Sequence, residues 1–353
     1  MALLNLTRAA ALAVMLPVTM GCGNPDREMN PTAPGGATRP IAAASTGPAT
    51  RPSDQTRPGA SGGDDVYRLL TAWGDSGSGP GQFHGPQGLT VSPDGEIFVA
   101  DAGNCRIQVF GSSGTFLRQW GHCGDEPGAL RKPMDVALLP GGDVVVVDFI
   151  LDRVSIFGRA GRLVRLFGTS GEKPGQLDAP VGVAVSGDGD IYVSEFYGNR
   201  VQSFSPNGTA RGQIGQAGDG PGGLHYPAKL TFGPGGDLFI ADAHHGRLQR
   251  FERDGRYVAA WGSPGTWFGQ FQDPTDLVVD RDGNMHVADS GNFRVQWLAP
   301  DGTYRGEWRL DHPSGPVFQS PQAVAMDGHK HLYVSDAAVD RIVKLEVLTR
   351  RTE

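Results

Sequence analysis

The sequence predicts an all-β, six-bladed β-propeller, and three observations of one period carry that reading. Six prolines stand 47 residues apart: Pro86, Pro133, Pro180, Pro227, Pro274 and Pro321. The same spacing of 47 links Asp101, Asp148, Glu195, Asp242, Asp289 and Asp336, and again Arg106, Arg153, Arg200, Arg247, Arg294 and Arg341. A fixed period in this range marks a solenoid, a propeller or an array.

The first unit shows what is repeated. Gly88-Leu89-Thr90-Val91 is a short apolar run, and Pro93-Asp94-Gly95 is turn chemistry. Ile97-Phe98-Val99-Ala100 is β-branched and aromatic, and Asp101-Ala102-Gly103-Asn104 turns again. Arg106 to Phe110 alternates polar and apolar, Ser113-Gly114 makes a third turn, and Phe116 to Trp120 alternates up to Gly121. Short runs of period 2 between Gly, Asp and Asn clusters are strands in hairpins. Four strands per unit and no helical periodicity describe a propeller blade.

The ends of the chain predict how the ring closes. The sixth unit runs out after Arg341 to Val347, without a fourth strand. An unpaired strand, Val66 to Gly74, precedes the first unit, and its Trp73 lies 47 residues before Trp120. It is expected to complete the last blade and so cover two open sheet edges. From Val66 to Val347 is 282 residues, six times 47. In the sixth unit Lys330 stands where the other blades have a turn glycine, with Asp327-Gly328 earlier.

The repeat resembles the NHL family. Its pattern is Pro, a short strand, Asp-Gly, a strand ending in Asp, then Asn-x-Arg-Ile/Val, a strand, Gly and Phe/Trp-Gly. It reads most plainly in Asp101-Ala-Gly-Asn-Cys-Arg-Ile-Gln-Val-Phe and Asp289-Ser-Gly-Asn-Phe-Arg-Val-Gln-Trp. The resemblance spans Val66 to Val347 and implies the propeller fold. It does not name an activity, because one fold hosts many.

The segment before the fold reads as an address. Arg8 precedes an apolar stretch, Ala9 to Met20, and then Gly21-Cys22, which gives an export signal at 1–21. A small residue followed by Cys resembles a bacterial lipoprotein signal, with Cys22 as the acylated N-terminus. Plain secretion and a retained anchor are the alternatives. Residues 22–63 are rich in Pro, Gly, Ala and Thr and read as a disordered tether, about 35 Å in root-mean-square span. The propeller is assigned to 64–348 and a short tail to 349–353. The expected location is the cell envelope, with the membrane reached through the N-terminal lipid only.

A net charge of −7 without a Lys/Arg cluster argues against a nucleic-acid partner. The repeating acid and Arg flank one hairpin loop and are expected to pair or cap it. If Cys22 takes lipid, Cys105 and Cys123 remain. In an oxidising compartment that even remainder points to a disulfide, with two free thiols or a metal site with His122 as alternatives.

Candidate binding residues fall into two groups. The residues two after each repeat proline are Gly88, Asp135, Gly182, Lys229, Asp276 and Ala323, and they are expected at the axis. Asp135 and Asp276 are three blades apart, which should set them opposite each other, with Lys229 beside Asp276. Two facing carboxylates suit a hard cation or acid–base work; alternatively each caps a backbone amide. The second group lies on the face that the blade-to-blade loops share with the second-to-third strand loops. It comprises Phe149, Phe196, Tyr197, His244, His245 and Trp267, with Ile150, Leu151, His225, Tyr226 and Phe268 nearby. Loops on a rigid scaffold concentrate binding residues. These side chains either form a contact surface or pack down between blades. The opposite face, built of tight turns, is expected to leave little room for a site.

The reading favours a non-enzymatic binding or scaffold module that engages a protein, peptide or small ligand, with a protein or peptide partner in the envelope, and it calls for no cofactor. The alternative is a metal-dependent enzyme. A likeness to the peptidylglycine amidating lyase would imply histidine-held zinc, fed by His225, His244, His245 and Tyr197. A gluconolactonase-like propeller would imply calcium, with Asp135 and Asp276 supplying part of the ligand set. The one Gly-x-Ser-x-Gly match, Gly59 to Gly63, lies in the tether and not between a strand and a helix, so no nucleophile elbow is expected.

Overall fold

The computed structural model describes residues 66–308 and 318–348. The export signal at 1–21, Cys22, the tether at 22–63 and the tail at 349–353 lie outside the described residues. Six four-stranded antiparallel sheets form the blades. Five are continuous in sequence, at 86–120, 133–167, 180–214, 227–261 and 274–308. The sixth joins Pro321–Met326, His331–Asp336 and Arg341–Val347 to Tyr67–Trp73, so the N-terminal strand closes the ring as expected. Trp73 pairs with Ile342 as Trp120 pairs with Ile107, the same register carried round the ring. Lys330 takes the left-handed turn position with φ 65°, doing the work of the glycines in the other blades.

Each blade is organised by its buried repeat acid. Asp101, fully buried, accepts the His84 amide at 2.8 Å, Asn104 Nδ2 at 2.9 Å, Arg106 Nε at 2.7 Å and Gln108 Nε2 at 3.0 Å. The same node recurs around Glu195, Asp242 and Asp289 with Arg200, Arg247 and Arg294 and with Gln202, Gln249 and Gln296. Asp336 accepts the amides of Gln319 and Ser320 and pairs with Arg341. Burial pushes the Asp101, Asp148, Glu195, Asp289 and Asp336 carboxyls up, against the pull of these donors.

Blade two departs from the pattern. Asp148 is satisfied by four backbone amides, those of Arg131, Lys132, Ile150 and Leu151. Ser155 stands in the glutamine position, and neither its Oγ nor Arg153 Nε has a partner.

The arginines and glutamines also pin the long loops. Arg106 donates to the carbonyls of Ser78, Gly79 and Gln82, and Arg153 to those of Asp125, Glu126 and Ala129. Gln108 accepts the Gly81 amide and donates to the Gln82 carbonyl. Beneath each of the five described loops sits one fully buried apolar anchor: Phe83, Leu130, Leu177, Leu224 or Phe271. Gly262, at φ +93°, leads into its loop with so little room that a Cβ would lie 2.5 Å from the Phe271 ring. The loops therefore have little slack.

Neighbouring blades are tied by side chain to backbone. The Ala179 amide donates to Asp152, Tyr226 to Asn199 and, across the closure, Gly85 to Asp340. A disulfide joins Cys105 to Cys123, linking a second-to-third strand loop to the loop that leaves blade one. No helix among the described residues is long and apolar enough to cross a membrane.

Removing Arg294 takes the paired cation from a buried carboxylate, whereas removing Arg153 strands only carbonyls. Arg294→Ala is expected to cost ~3–5 kcal/mol and Arg153→Ala ~1–3 kcal/mol. Chemical denaturation of the two variants checks this; equal or reversed losses would contradict the role given to the acid–arginine pair.

Candidate functional site

The innermost strands carry a bulge after the repeat proline, for example between Pro133 and Asp135 and between Pro274 and Asp276. A bulge re-aims the next side chain, and here the re-aimed residues meet at the axis. Lys229 Nζ lies 3.5 Å from Asp135 Oδ1 and 3.8 Å from Asp276 Oδ2, and donates to the Gln87 carbonyl at 2.6 Å. The ammonium thus sits between the two carboxylates rather than beside one of them. Each acid also accepts an amide from the next blade, Val183 to Asp135 and Val324 to Asp276. Small neighbours permit this crowding: a Cβ on Gly88 would lie 2.5 Å from Asp135 Cα. Lys229 and these amides supply the donors that face the two carboxylates. Burial pushes Asp276 up to about 7 and Asp135 in the same direction, against the attraction of Lys229.

Below this plug, an axial cavity of about 770 Å³ is lined by the innermost strands and their turns, including Val91, Leu139, Val185, Phe232, Val278 and Met326. Its lining includes Asp135 and Asp276 at one end and the Ser92 to Asp94, Pro140 to Gly142 and Ser186-Gly187 turns at the other. The tight turns therefore rim a roomy cavity, contrary to the expectation that this side leaves little space. Turn length limits the loops, not the channel that six innermost strands enclose.

The long-loop face carries a chain of ring contacts across blades two to four. Phe149 meets Tyr197 at 6.0 Å, Tyr197 meets Phe196 at 5.3 Å, and Phe196 stacks on Tyr226 at 4.7 Å. Tyr226 meets His225 at 4.4 Å, and His225 meets His244 at 4.2 Å. Lys132 Nζ lies over Phe149 at 5.6 Å, and burial lowers its pKa to about 8. Phe196 is buried; Phe149, Tyr197, Tyr226, His225 and His245 are half-buried; His244 is exposed. Both readings of the aromatics hold in part: Phe196 packs down, and the rest keep an accessible edge. Trp267, 50% exposed, stands apart from this arc, and its neighbour Phe268 stacks on Tyr304 at 4.4 Å.

Blade four adds a cluster of titratable groups. His245 Nδ1 bonds Asp242 Oδ2 at 2.8 Å and its Nε2 lies 3.1 Å from Asp219 Oδ1. Burial, then the neighbouring His244 and His245, hold the His225 pKa below its usual value. Burial raises Asp273, with His244 opposing.

The NHL repeat model matches residues 83–110, 177–204, 224–251 and 271–298. The chain carries four NHL repeats. They coincide with the four blades that hold Gln108, Gln202, Gln249 or Gln296 beside the acid and arginine; Ser155 and Val343 occupy that register in the other two. Human E3 ubiquitin-protein ligase TRIM32 is 42% identical to 72 residues, 20% of this chain and 11% of the ligase. The chain thus spans about a tenth of the curated ligase it matches.

Among solved structures, an auxiliary nutrient binding protein from Bacteroides ovatus is similar at TM-score 0.61, with 17% identity over 79% of this chain and 76% of that one. Virginiamycin B lyase from Staphylococcus aureus gives 0.55, with 16% identity over 80% of this chain and 100% of the lyase. A gluconolactonase from Xanthomonas campestris gives 0.58, with 14% identity over 81% and 96%. These likenesses establish the propeller fold and nothing finer.

Two residues of the arc were missed in the sequence, Lys132 and Asp273. A signal was present: both directly precede a repeat proline, as Tyr226 does, and so stand where the innermost strands begin. Asp219, in a loop of small residues, carries no such signal.

The raised Asp276 pKa has a consequence for the stability of the propeller. The folded carboxyl holds its proton up to about 7, while the unfolded one releases it near ~4. Between those values the folded state binds more protons, so stability falls as pH rises through the window. Asp276→Asn is expected to flatten that fall, measured by denaturation at intervals from pH 4 to 8. A variant with the wild-type slope would show that Asp276 ionises normally.

Proposed function

We propose that this protein is an exported, lipid-tethered propeller that binds a protein or peptide partner on its long-loop face. The observation that carries the reading is the arc from Phe149 through Tyr197 and Tyr226 to His244, accessible at its edge and mounted on pinned loops. Aromatic side chains on a rigid surface supply contact area at little entropic cost, which is how binding hot spots are built. At the axis, Lys229 stands between the two carboxylates that a catalytic reading would use. The Cys105–Cys123 disulfide supports an oxidising compartment, in keeping with export and with acylation at Cys22.

A second reading, a metal-dependent lyase or lactonase, is supported by the fold likeness to virginiamycin B lyase and gluconolactonase and by the histidines of blade four.

Photo-crosslinking in producing cells tests the first reading. A crosslinking residue in place of Tyr197 should give a defined membrane-fraction product that Phe149→Ala abolishes and Cys22→Ser moves to the soluble fraction. The same residue in place of Gly187, on the opposite face, should give none. Equal products from both faces, or none from either, would overturn the proposal.

A further inference from the structure

Blade four is the one place among the described residues where three metal-ligating side chains converge: the ligand atoms of Asp219, His225 and His245 all lie within 4.8 Å of one another. We propose that these three residues bind a divalent transition-metal ion of the zinc type, at a site off the axis on the long-loop face.

The repeat itself makes the site. At the register of His245, blades one and five have Asn104 and Asn292. Each asparagine points its amide inward, bonding the repeat acid and a loop carbonyl, Gly77 for Asn104 and Gly265 for Asn292. His245 keeps the bond to the acid, Asp242, and sends its other nitrogen outward to Asp219.

The bonding leaves one nitrogen of His245 directed at a carboxylate. Asp242 Oδ2 accepts from Arg247 Nε and Gln249 Nε2, and His245 Nδ1 faces the same oxygen at 2.8 Å as a donor. Its Nε2 is thereby aimed at the Asp219 carboxylate at 3.1 Å, a separation at which one ion can take both atoms as ligands. A histidine whose far nitrogen donates to a fixed carboxylate is the usual outer-shell arrangement of a metal ligand. His225 is fixed by the same carboxylate, which accepts its backbone amide at 2.9 Å.

The donor set selects the ion. Two imidazoles and one carboxylate suit zinc and its first-row neighbours, whereas calcium and magnesium take oxygen shells. Three protein ligands leave a tetrahedral ion one position for water or an incoming donor group. Asp135, Lys229 and Asp276 take no part. The site does not depend on the partner-binding reading, and either can fail without the other.

Titration of the purified protein with zinc by calorimetry, and with cobalt(II) followed by absorption, tests the proposal. One ion per chain is expected, with the visible bands of low-coordinate cobalt. His245→Asn restores the side chain that blades one and five use, so it should fold, keep its bond to Asp242 and bind zinc at least tenfold more weakly. His225→Asn should weaken binding similarly, and His331→Asn, outside the cluster, should leave it unchanged. Absence of stoichiometric binding at 100-fold excess metal, or binding that survives His225→Asn/His245→Asn in a folded protein, would overturn the site.

Discussion

The buried carboxylate that ends the second strand of every blade is the constraint on which the rest of the structure depends. It has lost its water, so every oxygen must find a donor inside the protein. In four blades those donors are the arginine and glutamine of the third strand together with the amide of the incoming loop. One group thereby fixes strand pairing, loop conformation and the entry of the next innermost strand. Arginine suits the task because its planar fork serves the carboxylate with Nε while its terminal nitrogens reach loop carbonyls.

Placing six such nodes at one level of the ring separates two kinds of surface. The tight turns outside the nodes enclose the axial cavity, and the pinned loops carry the side chains that differ from blade to blade. Because the node holds the backbone, a residue beside it can change without loss of the blade. Blade two replaces the arginine contact to Asp148 with backbone amides and presents Phe149 and Ile150. Blade four exchanges an asparagine for His245 and gains a nitrogen directed at Asp219. Function on this scaffold is read from the departures, and the repeat supplies the fixed geometry.

The fold was legible because its signals are local and repeated six times: a proline, an acid and an arginine at one spacing, with Trp73 in register with Trp120. The site was legible only in part. Register alone placed Asp135, Lys229 and Asp276 at the axis, but side-chain reach decided that Lys229 extends between both acids. A one-dimensional pattern records which strand a residue begins, not how far an ammonium extends. The burial of Phe196 against Tyr197 and Tyr226 likewise depends on packing between blades. Asp219 escaped notice because its role comes from His225 and His245, which lie 6 and 26 residues away in sequence.

The acid nodes hold the long loops as part of the folded core. Native-state hydrogen exchange at the loop amides of Gly81, Gly175, Gly222 and Gly269 tests this most directly, since each donates to a node glutamine at 2.9–3.0 Å. These amides are expected to exchange only with global unfolding, with the same denaturant dependence as the strand amides of their blades. Exchange at the rate of exposed turns, insensitive to denaturant, would show that the loops open independently and would contradict a preformed binding face.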